Sequence, residues 1–189
     1  MRRILVTGSA DGLGLMAARL LISEGHAVVL HGRNEARAAD ALAGAPGAAG
    51  ALSGNLASLA QTDALAEQAN ADGRRPGNGA QAYADSKLLD VVLAFAVARR
   101  WPDVRANAVD PGWVATKMGG AGAPDDLEEG ARTQAWLAAG TDPAADVTGR
   151  YLFHREEAAS HPATTDPATQ DGLLAACAEL TGAALPGAP

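Results

Sequence analysis

Short aliphatic runs alternate with longer stretches of helical spacing along this chain. Arg3 to Val6, Ala27 to Leu30 and Ala51 to Ser53 each read as a strand, a few consecutive apolar residues bounded by glycine or polar groups. Leu13 to Ser23, Asn34 to Leu42 and Ser58 to Gln68 carry their apolar positions at helical spacing, and Gly25 closes the first of them as a C-cap. Gly73 to Gly79 reads as a loop. Gln81 to Arg100 has the length and spacing of a long helix that ends before Pro102, since the residue ahead of a proline is pushed out of helical geometry. Val104 to Val109 is a further strand and Pro111 to Pro124 a glycine-rich loop. Asp125 is placed to N-cap a helix to Ala139, Arg150 to Phe153 is the last strand and Asp171 to Leu180 the last helix. Strand and helix alternate, which predicts an α/β fold with a parallel sheet.

Composition narrows this picture. The chain has 189 residues and 46 of them are alanine, so larger apolar side chains make up only about a quarter of the sequence and the core is economical. The length suits one domain over 1–189. A formal charge of −7 favours solubility and argues against a nucleic-acid partner, which needs a concentrated basic face. The single cysteine, Cys177, forms no internal disulfide and suits a reducing, cytoplasmic setting; it reads as an inert buried thiol. The first apolar stretch is shorter than a secretion signal requires, and the longest, Val91 to Ala98, is far shorter than a bilayer span, so no membrane partner is expected. Ala41 to Gly50 reads as loop and the tail after Leu185 as a frayed end. His26, His31, His154 and His161 show no metal-ligand spacing and read as surface or strand-end residues, so no metal is expected. Trp101 and Trp136 read as packing anchors.

Two motifs carry chemistry. Thr7-Gly8-Ser9-Ala10-Asp11-Gly12-Leu13-Gly14 places three glycines between a strand and a helix, where the backbone can approach a pyrophosphate at the positive helix end. Tyr83-Ala84-Asp85-Ser86-Lys87 puts a phenol and an ammonium four residues apart on one helix face, close enough for the cation to favour a phenolate.

Together with Pro111-Gly112-Trp113-Val114-Ala115-Thr116 after a strand, these motifs resemble the short-chain dehydrogenase/reductase family, in family order and over nearly the whole chain. The ending from Tyr151 to Gly182 is similar to the retinol dehydrogenase and protochlorophyllide reductase side of that family. The spacing of Gly8, Gly12 and Gly14 favours this resemblance over the nucleotide-sugar epimerases. The resemblance implies a Rossmann-like, doubly wound parallel sheet, with Gly8, Ser9, Gly12, Leu13 and Gly14 lining the cofactor phosphates. Tyr83 would be the catalytic acid/base, and Lys87 would tune it and bind the nicotinamide ribose. Pro111, Gly112, Val114 and Thr116 would hold the nicotinamide end. Asn55 stands near the adenine, where the family usually has an aspartate. Trp113 and Met118 lie in the loop that in this family covers substrate.

The end of the second strand bears on cofactor choice. An NAD site normally presents a carboxylate there to the ribose 2′-hydroxyl; Gly32 has none, and Arg33 offers a guanidinium fork to a 2′-phosphate, which favours NADP(H). The expected activity is hydride transfer between NADP(H) and a carbonyl or alcohol.

Only 28 positions separate Asn55 from Tyr83, where the family places two more strands, a long helix and its substrate-binding serine. About 60 residues are therefore absent, at roughly 30 per strand-helix unit, with the junction near Gly73-Arg74 and a sheet reduced in strand number. Natural loss, engineered shortening and the joining of separate segments are all compatible with the sequence. A catalytically impaired nucleotide-binding or interaction protein is the rival reading. The loss also predicts a homo-oligomer, because the Leu89, Val92, Phe95 and Ala96 side of the tyrosine helix would lose its cover.

Overall fold

In the computed structural model, which describes residues 1–53, 79–182 and 184–185, β1 (Arg3–Val6) leads into α1 (Gly12–Ser23), β2 (Ala27–Gly32), α2 (Glu35–Gly44) and β3 (Gly50–Ser53). Then come α3 (Gly79–Arg100), β4 (Ala108–Asp110), α4 (Glu129–Ala139), β5 (Tyr151–Phe153), β6 (Glu156–Glu157) and α5 (Pro167–Thr181). The described strands form two three-stranded sheets, ordered β1-β2-β3 and β4-β5-β6. The first is parallel, with Arg3 opposite Ala27, Val6 opposite Leu30 and Gly32 opposite Ser53. This is the expected α/β, Rossmann-like architecture reduced in strand number, with β1 at the edge of its sheet. Helix Ser58 to Gln68, the tail from 186 and the 73–74 junction lie outside the described residues.

The described residues cluster into two compact units: 1–53 with 109–146 and 152–156, and 79–108 with 147–151 and 157 onward. In the first unit, Val28 and Leu30 of β2 are fully buried together with Ala18 and Leu21 of α1, Ala41 and Ala45 at α2, and Ala135 and Ala139 of α4. Five of these eight residues are alanine, which is what a sequence this poor in large apolar residues can supply. Small side chains let helix axes approach closely, so the core is dense but its individual groups bury little area. In the second unit α3 packs on α5, and Arg99 of α3 donates to Gln170 Oε1 at 2.7 Å and pairs with Asp171.

Local chemistry explains where elements begin. Asn34 caps α2 by accepting the Arg37 N–H at 2.9 Å, and Gly25 takes a left-handed φ of +82° just beyond α1. The expected cap at Asp125 is displaced: α4 starts at Glu129, and Asp126 instead accepts the N–H groups of Glu128 and Glu129 at 2.8 and 3.0 Å. Asp125 is held elsewhere, its carboxylate accepting the Trp113 N–H at 2.5 Å. The strand expected over Val104 to Val109 shrinks to Ala108–Asp110. Side chains take over its neighbours: Thr148 Oγ1 accepts the Ala106 N–H, and Asn107 Nδ2 donates to the Val147 carbonyl. The last helix starts earlier than expected because Asp166 caps it and Pro167 fits its first turn.

Burial also corrects several expectations. Val92, Phe95 and Ala96 of α3 are buried, while Leu89 is 47% and Leu93 38% exposed. His26 is buried, its Nδ1 accepting the Arg2 N–H at 3.2 Å, and Cys177 is only half-buried. Among the described residues no helix is long and apolar enough to cross a membrane.

Candidate functional site

Five residues, Thr7 to Asp11, turn the chain from β1 into α1. Gly8 and Gly12 have φ of +63° and +52° with open space where a Cβ would stand, so their glycine requirement is conformational. Gly14 is glycine for a different reason: a Cβ there would lie 2.6 Å from the Gly8 carbonyl oxygen, so the helix start and the turn are in direct backbone contact. Asp11 caps the helix, its Oδ1 accepting the Gly12 N–H at 2.9 Å. A Cβ on Gly8 or Gly12 would meet nothing within 4 Å, so the backbone of the turn is open beside the N–H groups of a helix start, a setting that favours anions.

The Ser9 hydroxyl is turned into the protein. The residue is fully buried and its hydroxyl accepts the His31 N–H at 2.8 Å, which joins the turn to β2 and leaves a phosphate-lining role to its backbone. Leu13 and the start of the 111–124 loop meet at α4: a Cβ on Gly130 would lie 2.9 Å from Val114 Cγ1, 3.2 Å from Leu13 Cδ2 and 3.2 Å from the Pro111 carbonyl. The structure thus brings together, in one unit, the glycine turn and the loop expected at the nicotinamide end. Val114 is buried by this packing. Gly112 takes φ +78° and donates to Asp110 Oδ1 at 2.9 Å. Thr116 closes the loop on itself, its Oγ1 accepting the Gly119 N–H and its carbonyl the Gly120 N–H. Trp113 Nε1 donates to the Gly119 carbonyl at 2.9 Å, while most of the indole stays open, as does Met118.

Charge gathers at Asp11. Lys117, from the loop, hydrogen-bonds its carboxylate, and Arg37 Nη2 stands 3.9 Å away while also pairing with Asp40. The Lys117 hydrogen bond, then the Gly12 N–H, hold the Asp11 carboxyl below its ordinary range. At the end of β2, a Cβ on Gly32 would lie 2.2 Å from the Ala38 nitrogen and 2.5 Å from the Arg37 carbonyl carbon, so no side chain fits there. Arg33 follows, exposed and without a hydrogen bond or ion pair among the described residues.

Tyr83 and Lys87 lie in the second unit, one turn apart on α3. Lys87 Nζ is 5.7 Å from the centre of the Tyr83 ring and donates to Asp90 Oδ2 at 2.7 Å. That hydrogen bond, ahead of the attraction of Asp90 and Tyr83, holds the ammonium above its ordinary value. Ser86 Oγ turns back to the Tyr83 carbonyl at 2.7 Å. Asn55 lies outside the described residues. No group of three His, Cys, Asp or Glu side chains suited to a metal ion occurs among the described residues.

The short chain dehydrogenase family model matches residues 2–75. The uncharacterized oxidoreductase AN7799 of Emericella nidulans is 32% identical over 254 aligned positions, covering 99% of this chain and 100% of that protein. This chain belongs to the short-chain dehydrogenase family. The short-chain dehydrogenase chyC of Penicillium rubens is 33% identical, covering 98% of this chain and 100% of its own. Among solved structures, a Serratia marcescens short-chain dehydrogenase/reductase mutant superposes with a TM-score of 0.58 at 22% identity, over 80% of this chain and 95% of that one. A short chain dehydrogenase/reductase family protein gives 0.54 at 22%, over 81% and 94%. Family membership makes the chain an oxidoreductase with a nicotinamide dinucleotide as its cofactor. The alignment to AN7799 has 254 positions against 189 residues here, so at least 65 positions of that relative face no residue of this short-chain dehydrogenase. Both chains are covered almost end to end, which puts the difference inside the chain.

Asp11, Arg37 and Lys117 were not among the residues singled out from sequence. A signal for two of them is legible: Asp11 immediately precedes Gly12 at a helix start, and Lys117 is the lone charged residue in the 111–124 loop.

Proposed function

We propose that this short-chain dehydrogenase transfers hydride between NADP(H) and a small-molecule carbonyl or alcohol. The observation that carries the cofactor choice is the end of β2, where crowding by α2 keeps position 32 free of any carboxylate and the next residue is an exposed arginine. Arg33 binds the 2′-phosphate through a charge-assisted fork. Backbone groups of Gly8, Ser9, Gly12, Leu13 and Gly14 hold the pyrophosphate, Asn55 stands near the adenine, and Pro111, Gly112, Val114 and Thr116 hold the nicotinamide end. When bound, the nicotinamide supplies or accepts the hydride. Tyr83 Oη gives its proton to the carbonyl oxygen in reduction and takes it back in oxidation. Lys87, kept charged by Asp90, stabilises the phenolate that results and reaches the ribose hydroxyls.

A second reading, nucleotide binding without efficient catalysis, is supported by the 65 or more absent internal positions. The two separate in one assay: NADPH oxidation with a panel of aldehydes and ketones, wild type against Tyr83→Phe. Turnover abolished by the substitution supports the enzyme, and cofactor binding without Tyr83-dependent turnover supports the second reading. We also propose a cytoplasmic protein that self-associates, on the strength of Leu89 and Leu93 exposed on α3 and Leu5 exposed on the edge strand β1. A clean monomer in light scattering at micromolar concentration would count against the self-association.

A further inference from the structure

We propose that Lys117 is a pyrophosphate-binding residue presented to the cofactor by the 111–124 loop, with Asp11 holding the ammonium in place until the phosphates arrive. The inference rests on the dinucleotide reading above and adds to it a residue outside the glycine motif. Asp11 places a carboxylate on the Gly12 N–H, at the helix start where an anion is favoured by the exposed N–H groups and the helix dipole. That carboxylate's Oδ2 has already collected the loop's lone cation, and Arg37 Nη2 stands 3.9 Å from the same oxygen. The Lys117 side chain is 85% exposed, and an ion pair so open to water adds little to stability, so the pairing is better understood through what it positions.

The loop is built to hold the lysine there. Val114 is wedged against Gly130, Trp113 is tied to Gly119, and Thr116 binds both Gly119 and Gly120, so the backbone on either side of Lys117 is fixed to α4 and to itself. A pyrophosphate over Gly8 and Gly12 carries more charge than one carboxylate and offers the ammonium more acceptor oxygens. Lys117 therefore passes from Asp11 to the phosphate, and Arg37 remains beside Asp11 to offset its repulsion of the incoming anion.

The test is calorimetric titration of ADP-ribose, which carries the pyrophosphate, and of 2′-AMP, which lacks it, into wild type, Lys117→Met and Lys117→Arg. The expected result is that Lys117→Met weakens ADP-ribose about tenfold or more, leaves 2′-AMP unchanged, and is largely rescued by arginine. Equal ADP-ribose affinity in wild type and Lys117→Met, at matched melting temperatures, overturns the proposal and leaves the dinucleotide reading standing. Equal weakening of both ligands overturns it as well, since a pyrophosphate contact cannot act on 2′-AMP. Failure of wild type to bind either ligand removes both.

Discussion

The hydroxyl of Ser9 accepts the backbone N–H of His31 at 2.8 Å, with both residues buried. The glycine turn is thereby tied to the end of β2, the two places a dinucleotide would touch at its phosphates and its adenosine ribose. Ser9→Ala leaves that N–H without its acceptor in a dry site, and is expected to cost about 1–3 kcal/mol. Thermal melting checks it. Ligand affinity measured well below the transition should change less than stability does, because the hydroxyl faces β2.

Gly32→Asp, the substitution that would install an NAD-type carboxylate, is expected to fail as a specificity switch. Its Cβ meets the backbone of Arg37 and Ala38 inside 3 Å, and overpacking of this kind costs about 1–3 kcal/mol or more. Denaturant unfolding should show the loss, with no gain in NADH affinity.

Arg33→Ala, by contrast, touches an exposed side chain without a partner among the described residues. Stability should stay within about 0.5 kcal/mol of wild type, while NADPH affinity falls roughly 10- to 100-fold and NADH affinity stays level. Equal wild-type affinities for the two cofactors would defeat the NADP assignment.

The alanine-built contact between α1 and α4 predicts an asymmetry. Leu21→Ala removes one of the few large groups in the core and should cost about 2–5 kcal/mol. Enlarging Ala135, which is 1% exposed, to leucine should cost about 1–3 kcal/mol by overpacking. Both are readable from chemical denaturation.

Acid should be more damaging than mild base. Asp11, Asp126, Asp142, Asp166 and Asp171 are all held below the ordinary 3.8 by the hydrogen bonds they accept: Asp11 chiefly from Lys117, Asp126 from Glu129, Asp142 from Trp136, Asp166 from Thr169 and Asp171 from Arg99. A depressed folded value means the unfolded chain takes up protons first, so the stabilisation is complete above about pH 4 and is lost as pH falls through the folded values. Melting temperature against pH should be flat above that point and drop below it, with a shallower drop in Asp166→Asn.

Much of this was readable from residues alone, because backbone-dictating positions announce themselves. Glycines flanking a helix start, the helical spacing from Asn34 and the long stretch ending at Arg100 all act locally, and these helices appear within a few residues of where they are expected. What escaped depends on partners distant in sequence. Asp125 and Asp126 are equivalent as caps until Trp113 claims the first, and nothing local foretells that the Ser9 hydroxyl will meet the His31 N–H. Lys117 and Asp11 are 106 positions apart, and no spacing rule links them. The relatives show that at least 65 positions are absent from inside the chain, which local pattern does not register at all; the short interval before Tyr83 stands out only against the family resemblance.

The crowding at Gly32 has an evolutionary consequence. In many folds a ligand preference can drift through single substitutions at the contact point, each intermediate remaining a working protein. Here the contact point has been taken up by the helix that follows it: Ala38 lies where a side chain would grow. A descendant of this chain that came to prefer a free ribose 2′-hydroxyl through a carboxylate at position 32 would first have to move the start of α2. Its route runs through backbone rearrangement, so on the proposed NADP(H) reading the preference is inherited along with the shape of the fold.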